Sequence, residues 1–120
     1  MSSVPLGPYR PAVRSGDYIF VSGQVGFANP ETDKDNVGIE AQTKQCLENM
    51  KSVLAGMGSS LSDVVKVTVF LKNNDDFAKM NETYISYFSK NRPARSTIIT
   101  NLINPKMLIE IECIVYCPTT

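Results

Sequence analysis

Two stretches of the chain carry apolar side chains at helical spacing, and this double pattern limits the folds that the sequence can adopt. The first stretch covers residues 37–57, and the second begins at Asp75 or Asp76 and ends at about residue 90. Both are long enough for amphipathic helices that bury one stripe against a neighbouring layer. The apolar positions are Ile39, Cys46, Leu47, Met50, Val53, Leu54 and Met57 in the first stretch, and Phe77, Met80, Tyr84, Tyr87 and Phe88 in the second.

Turn and cap signals separate these helices from β-rich runs on either side. Asn36 is a suitable N-cap for the first helix, and Gly56 and Gly58 supply its stop signal. Asn104-Pro105 marks a turn between the last two β-rich runs. The runs rich in β-branched and aromatic residues are 17–24, 64–72, 94–100 and 107–117, and a short additional strand at 12–14 is compatible with the pattern.

The predicted order is β-β-α-β-α-β-β in a single α+β domain that comprises residues 1–120. Two helices would cover one face of a mixed sheet, since this packing buries both helical stripes. The other sheet face has no cover within one chain, although several of its residues are apolar. We therefore expect that face to contact another subunit.

The composition excludes several classes of function. The 12 Lys and Arg residues balance the 12 Asp and Glu residues, so the basic excess typical of a nucleic-acid binder is missing. No apolar run approaches the ~18 residues of a membrane span. No signal peptide is visible and the cysteine count is odd, at 3, which predicts reduced thiols in a cytoplasmic protein.

The chain contains 0 histidines, which restricts its chemistry further. Ser-His-Asp and Cys-His catalysis and His-ligated zinc are excluded. Proton transfer must then use Asp, Glu, Lys, Tyr, Cys or a positioned water. Cys46, Cys113 and Cys117 have no metal-ligand spacing, and we interpret them as small buried apolar residues.

The last β-rich run places two carboxylates on one strand face. Glu110 and Glu112 alternate with an apolar set on the opposite face. In one interpretation this face is simply solvated. In the other, a carboxylate lies in a partly dry pocket where its pKa rises toward a value useful for acid/base catalysis.

Arg95 lies on the preceding β-rich run, and antiparallel pairing would bring it opposite the Glu110 region. It is then either an ordinary cross-strand ion pair or a guanidinium that grips a substrate carboxylate with two hydrogen bonds. By residue type alone, both interpretations stay open.

Five motifs together resemble the YjgF/YER/Rid family of enamine/imine deaminases. In chain order they are LGPY, FVSGQV, MNETY, RPARST and IEIECI, between about Gly7 and Tyr116. The resemblance implies a chorismate-mutase-like fold and a homotrimer whose sheets line a central barrel. It also implies active sites in the clefts between subunits, with no metal or other cofactor.

The resemblance also implies roles for individual residues. Arg95 would hold the substrate carboxylate, and Glu110 would orient water and move protons, with Glu112 as a supporting carboxylate. The position after the Arg-Ser pair would contribute backbone polar groups, and here it is Thr97 rather than Cys or Val. The residues implied to line the pocket are Tyr9, Ser22, Gly23 and Asn81.

The activity implied is hydrolysis of reactive 2-enamine or 2-imino acids to 2-keto acids and ammonia. Two alternatives remain from the same resemblance and composition. One is a protein that acts on RNA, as an endoribonuclease or translation inhibitor, which the neutral charge and missing histidine make less favourable. The other is a trimer that binds small carboxylates without converting them, which would leave Glu110 without a role.

Overall fold

The computed structural model describes residues 7–27 and 37–119, which form a five-stranded mixed sheet with two α-helices on one face. The strands lie in the order β1-β2-β5-β3-β4. All neighbouring strands are antiparallel except β3 and β4, which are parallel. The predicted element order and fold class are confirmed. The elements are β1 (Ala12–Ser15), β2 (Tyr18–Val25), α1 (Ile39–Gly56), β3 (Val64–Leu71), α2 (Phe77–Tyr87), β4 (Ala94–Ile99) and β5 (Ile109–Tyr116).

Helix α1 begins two residues later than its apolar spacing predicts. Gly38 precedes it with φ 93°, a backbone conformation that favours glycine and cannot continue a helix. The predicted N-cap, Asn36, lies outside the described residues. At the other end Gly58 has φ 75°, and its N–H donates to the carbonyl of Ala55 at 3.2 Å. Gly58 therefore ends the helix as predicted.

Helix α2 is shorter than predicted, because it ends at Tyr87 rather than at residue 90. A 3₁₀ turn, Asn74–Asp76, leads into it. After Tyr87 the backbone leaves helical geometry at Phe88 (φ −127°, ψ 47°), whose ring is buried against Tyr84.

The core lies between the sheet and the two helices. On this helix-covered face, alternate residues of β3 and β5 are buried, whereas their neighbours point to the opposite, open face. That open face exposes large apolar side chains, and nothing in the described part of the chain covers it. They include Val13, Tyr18, Phe20, Ile98 and Tyr116.

The predicted antiparallel pairing that would bring Arg95 opposite Glu110 is wrong. β4 lies at the sheet edge beside β3, and β5 lies on the other side of β3. Since α2 connects β3 to β4, the chain crosses back over the sheet before β4 begins, which makes the two strands parallel. Val67 is in register with both Arg95 and Cys113, which places Arg95 on the helix-covered face. Glu110 points to the open face.

Candidate active site

A bulge in β2 makes room for the carboxylate of Glu110. Val21 pairs with Cys113 and Gln24 pairs with Ile111, so two residues of β2, Ser22 and Gly23, face a single residue of β5. A Cβ atom on Gly23 would overlap the Glu110 carboxylate. Any larger residue at position 23 would displace this carboxylate, so the missing side chain of Gly23 lets Glu110 lie where it does.

Glu110 is only partly exposed, and its environment favours the protonated form. Burial raises the pKa of this carboxyl above its ordinary value of 4.5, and the negative charge of Glu112 raises it further. Glu112, two residues along on the same face, is exposed. The two carboxylates therefore differ in solvation, which removes the interpretation that this face is uniformly solvated.

An open cleft of about 410 Å³ surrounds the two carboxylates, and we call it the acidic cleft. The N-terminal arm forms one wall. Ser22 holds this arm in place, because its hydroxyl donates to the carbonyl of Arg10 at 2.7 Å and its N–H to that of Pro11 at 2.8 Å. The cleft is lined by Gly7, Tyr9, Ser22, Gly23, Val25, Ile103, Glu110 and Glu112.

A second open cleft, of about 370 Å³, lies between α2 and the start of β4, and we call it the arginine cleft. It contains two guanidinium groups and no carboxylate. Its walls mix apolar side chains with an amide and a phenol. The lining residues are Asn81, Tyr84, Ile85, Phe88, Arg92, Pro93 and Arg95.

Aromatic rings hold the Arg95 guanidinium. Its central carbon lies 4.7 Å from the ring centroid of Tyr84 and 5.7 Å from that of Phe77. Within residues 7–27 and 37–119, Arg95 forms no ion pair with a carboxylate. The contacts with the two rings thus position the guanidinium, and its charge and hydrogen-bond donors remain available to an anion.

Two buried polar atoms beside Arg95 have no hydrogen-bond partner in the described part of the chain. They are Oδ1 of Asn81 and the hydroxyl of Tyr84. Burial raises the pKa of Tyr84, and the charge and the nearby N–H groups of Arg95 offset this only in part, so the hydroxyl remains a donor at neutral pH. A buried polar atom without a partner is costly, and a ligand that supplies the partner gains that free energy.

The structure divides the predicted site residues between the two clefts. Asn81 and Arg95 line the arginine cleft. Thr97 lines neither cleft, because it is half-buried on the helix-covered face in register with Val69. The acidic cleft contains Tyr9, Ser22, Gly23 and Glu110.

Tyr84 is a cleft residue that the sequence reasoning had assigned only to packing. Its spacing from Asn81 was the available signal, since residues three apart on a helix project from the same side. The packing assignment was incomplete rather than wrong, because the ring contacts Phe88 while the hydroxyl lies beside the cleft.

Two of the three cysteines are unsuited to nucleophilic roles. All three are free thiols; Cys46 and Cys113 are buried as predicted, whereas Cys117 is only partly buried. Burial, reinforced by the charge of Glu112, raises the pKa of Cys113 to about 12.

Among the described residues, no three His, Cys, Asp or Glu side chains are grouped as a metal site. No helix in the same part of the chain has the length and apolar character needed to cross a membrane.

Comparison with known proteins places the chain in a family. The RutC family protein of Pyrococcus horikoshii is 46% identical over 113 residues, which cover 93% of this chain and 89% of the relative. A Dermatophagoides farinae protein named 2-iminobutanoate/2-iminopropanoate deaminase is 38% identical over 112 residues, with coverage of 92% and 87%. The crystal structure of the YjgF gene product of E. coli matches with a TM-score of 0.86 and 36% identity, covering 96% of this chain and 92% of that one. A model of the endoribonuclease L-PSP family matches residues 1–117. The chain therefore belongs to the endoribonuclease L-PSP family, which includes the YjgF and RutC proteins.

Proposed function

We propose that this protein hydrolyses reactive 2-enamine and 2-imino acids to 2-keto acids and ammonia, at sites where the arginine cleft of one copy meets the acidic cleft of another. The observation that carries the proposal is the placement of Arg95 and Glu110 on opposite faces of one sheet. One substrate molecule cannot contact both groups of a single chain. Two copies can supply one group each.

The arginine cleft matches an imino acid in its donors and acceptors. The Arg95 guanidinium can donate two parallel hydrogen bonds to the substrate carboxylate, and the Tyr84 hydroxyl can donate a third. Oδ1 of Asn81 accepts, so it suits the N–H of an imine. A relative of this chain carries the name of a 2-iminobutanoate/2-iminopropanoate deaminase, which supports the same substrate class.

The acidic cleft supplies the proton carrier. An enamine tautomerises to its imine, water adds to the imine carbon, and the carbinolamine collapses to a 2-keto acid with loss of ammonia. In this scheme Glu110 orients the water, accepts its proton as the C–O bond forms, and passes that proton to the imine nitrogen. As the carbinolamine collapses, Glu110 takes the hydroxyl proton and gives it to the departing nitrogen, so both protons of the water end on ammonia. The raised pKa of Glu110 suits both transfers near neutral pH, because it lowers the cost of holding the proton. Every step is a proton transfer, the addition of water or the loss of ammonia, so the scheme consumes no cofactor.

The open face offers the surface on which copies would meet. Exposed aromatic and aliphatic side chains there, such as Phe20 and Tyr116, are each about 45% exposed in the single chain. The two clefts are also complementary in charge, with two arginines in one and two glutamates in the other. We propose a homotrimer assembled through this face.

The first experiment measures ammonia and keto acid released from freshly generated 2-aminoacrylate. We expect Glu110→Gln to lower kcat by about 10²–10⁴-fold while affinity for a 2-keto acid product holds, since the amide keeps the shape but cannot take a proton. Glu112→Gln is the matched control on the same strand face, and it should lower kcat much less. Equal losses in the two variants would mean that both glutamates are structural.

The family description also includes endoribonuclease activity, so the same preparations should be tested on RNA. The proposal predicts no RNA cleavage that depends on Arg95 or Glu110. If the wild-type protein cleaves RNA, Arg95→Ala and Glu110→Gln lose that cleavage, and 2-aminoacrylate is hydrolysed only at the uncatalysed rate, the protein is a nuclease and not a deaminase.

A further inference from the structure

The arginine cleft contains a second guanidinium, that of Arg92, which the proposed reaction does not use. Arg92 is exposed and lines the same cleft as Arg95. Neither arginine forms an ion pair within the described ranges, and the residues that line the cleft include no Asp or Glu. If Arg95 binds the substrate carboxylate with two parallel hydrogen bonds, the charge of Arg92 is available to a second anionic group.

The backbone between the arginines sets their spacing. They are three residues apart, so their Cα atoms lie at most about 10 Å from each other. Pro93 stands between them, and its ring restricts the conformations of this connection. Both long side chains can therefore reach a ligand within one cleft, with their charges at separate points.

The cleft wall is apolar between its polar groups. Ile85, Phe88 and Pro93 line it together with the two arginines. A ligand that suits this arrangement has a short methylene spacer with an anionic group at each end. The methylenes would contact the apolar wall while each anionic group meets one guanidinium.

We infer that the site prefers imino acids with a second carboxylate, in which Arg95 binds the 2-carboxylate and Arg92 binds the distal one. This inference rests on the proposed function and specifies its substrate class. The imino acids derived from aspartate and glutamate have the required chemistry, whereas that from alanine lacks the distal group. The competing role for Arg92 is an ion pair with a carboxylate of another copy, such as Glu112 in the acidic cleft.

The test compares kcat/KM for imino acids generated in the assay by amino-acid oxidases from aspartate, glutamate and alanine. Arg92→Ala should reduce the ratio of dicarboxylic to monocarboxylic kcat/KM by about tenfold or more, as expected for loss of one charge-assisted hydrogen bond. The loss should be mainly in KM. Lys90→Ala removes a nearby exposed charge that does not line the cleft, and it should leave the ratio in place.

Other results would overturn the inference. An unchanged ratio in Arg92→Ala would show that Arg92 does not contact substrate. A parallel loss for all three imino acids, with a lower oligomer mass by light scattering, would assign Arg92 to an ion pair between copies.

Calorimetry separates this inference from the proposed function. Wild-type protein should bind 2-oxoglutarate more tightly than pyruvate, and Arg92→Ala should remove the difference. If no imino acid is hydrolysed but this difference is present, the deaminase proposal fails and the dianion preference of the cleft stands. If imino acids are hydrolysed but the two keto acids bind equally, the inference about Arg92 fails alone.

Discussion

At the scale of single residues, the candidate site depends on groups whose ordinary partners are missing from the part of the chain that the structure describes. Arg95 is held by aromatic rings instead of a carboxylate, and a buried hydroxyl and a buried amide oxygen beside it are unpaired among the described residues. Glu110 is partly removed from water and lies against a glycine with no side chain to fill the space. Such arrangements reduce the stability of the folded chain, which is expected where a site is shaped for a ligand.

Tyr84→Phe separates binding from folding. The ring under Arg95 is kept, and only the buried, unpaired hydroxyl is removed. We expect the melting temperature to hold or rise, because a desolvated polar group is lost. Affinity for a 2-keto acid should fall about 2–10-fold, since one hydrogen bond to its carboxylate disappears.

Tyr87→Phe is the matched control for this prediction. The Tyr87 hydroxyl donates to Oε2 of Glu48 at 2.7 Å, and Tyr87 does not line the arginine cleft. Removal of the Tyr87 hydroxyl should lower the melting temperature slightly and leave the affinity for the 2-keto acid unchanged. Identical effects of the two variants would contradict a binding role for the Tyr84 hydroxyl.

The acidic limb of the pH profile should report on Glu110. If Glu110 acts as a base, kcat/KM falls as the pH drops through its pKa, because the protonated carboxyl cannot accept a proton. Burial is the larger cause of its raised pKa and Glu112 the smaller. Glu112→Gln should therefore shift the limb toward lower pH. A limb that does not move would mean that another group controls it.

At the scale of elements, α1 fixes the strands that present Glu110. Gln42 is buried on this helix, where its amide donates to the carbonyl of Lys106 at 2.9 Å and accepts from the N–H of Leu108 at 2.7 Å. Asn49, two turns further on, donates to the carbonyls of Val25 and Phe27 at 3.1 and 3.0 Å. Both side chains bind backbone at the ends of strands β2 and β5, next to the acidic cleft.

Gln42→Leu should destabilise the protein by about 1–3 kcal/mol for each backbone group left buried without a partner. Leucine has a similar size, so the loss reports the hydrogen bonds rather than a cavity. Lys44→Ala, on the exposed side of the same helix, should change the free energy of unfolding by less than about 0.5 kcal/mol. Chemical denaturation measures both, and a Gln42→Leu variant as stable as wild type would contradict this account.

The sequence pattern predicted the type and order of the helices and strands correctly, but it did not predict which strands pair with each other. The type and order of the helices and strands follow from periods of two and 3.6 residues. The neighbour of β4 could not be predicted in this way, because strand pairing depends on where α2 crosses the sheet. The error had a functional consequence, since it placed Arg95 beside Glu110 in one chain.

At the scale of the whole molecule, one chain carries the arginine cleft, the acidic cleft and an apolar sheet face that residues 7–27 and 37–119 leave uncovered. Motifs in the sequence assign residues to a site without saying which chain supplies them. In the structure Arg95 lies on the helix-covered face and Glu110 on the open face. The proposed assembly would bring the Arg95 of one copy close to the Glu110 of another. Association through the open face and catalysis in the clefts are therefore two aspects of one hypothesis.

Mixing two inactive variants tests this hypothesis most directly. Arg95→Ala lacks the carboxylate clamp and keeps Glu110, whereas Glu110→Gln lacks the proton carrier and keeps Arg95. In a random equimolar assembly each site has about one chance in two of an intact arginine and one in two of an intact glutamate. About a quarter of the sites would then be complete if the halves come from different copies.

The experiment unfolds and refolds the two variants together and measures release of ammonia from 2-aminoacrylate, with each variant refolded alone as the control. The account predicts about a quarter of the wild-type rate in the mixture, which exceeds the rate of either variant alone. A mixture no more active than its separate components, although light scattering shows assembled protein, would contradict a site shared between copies.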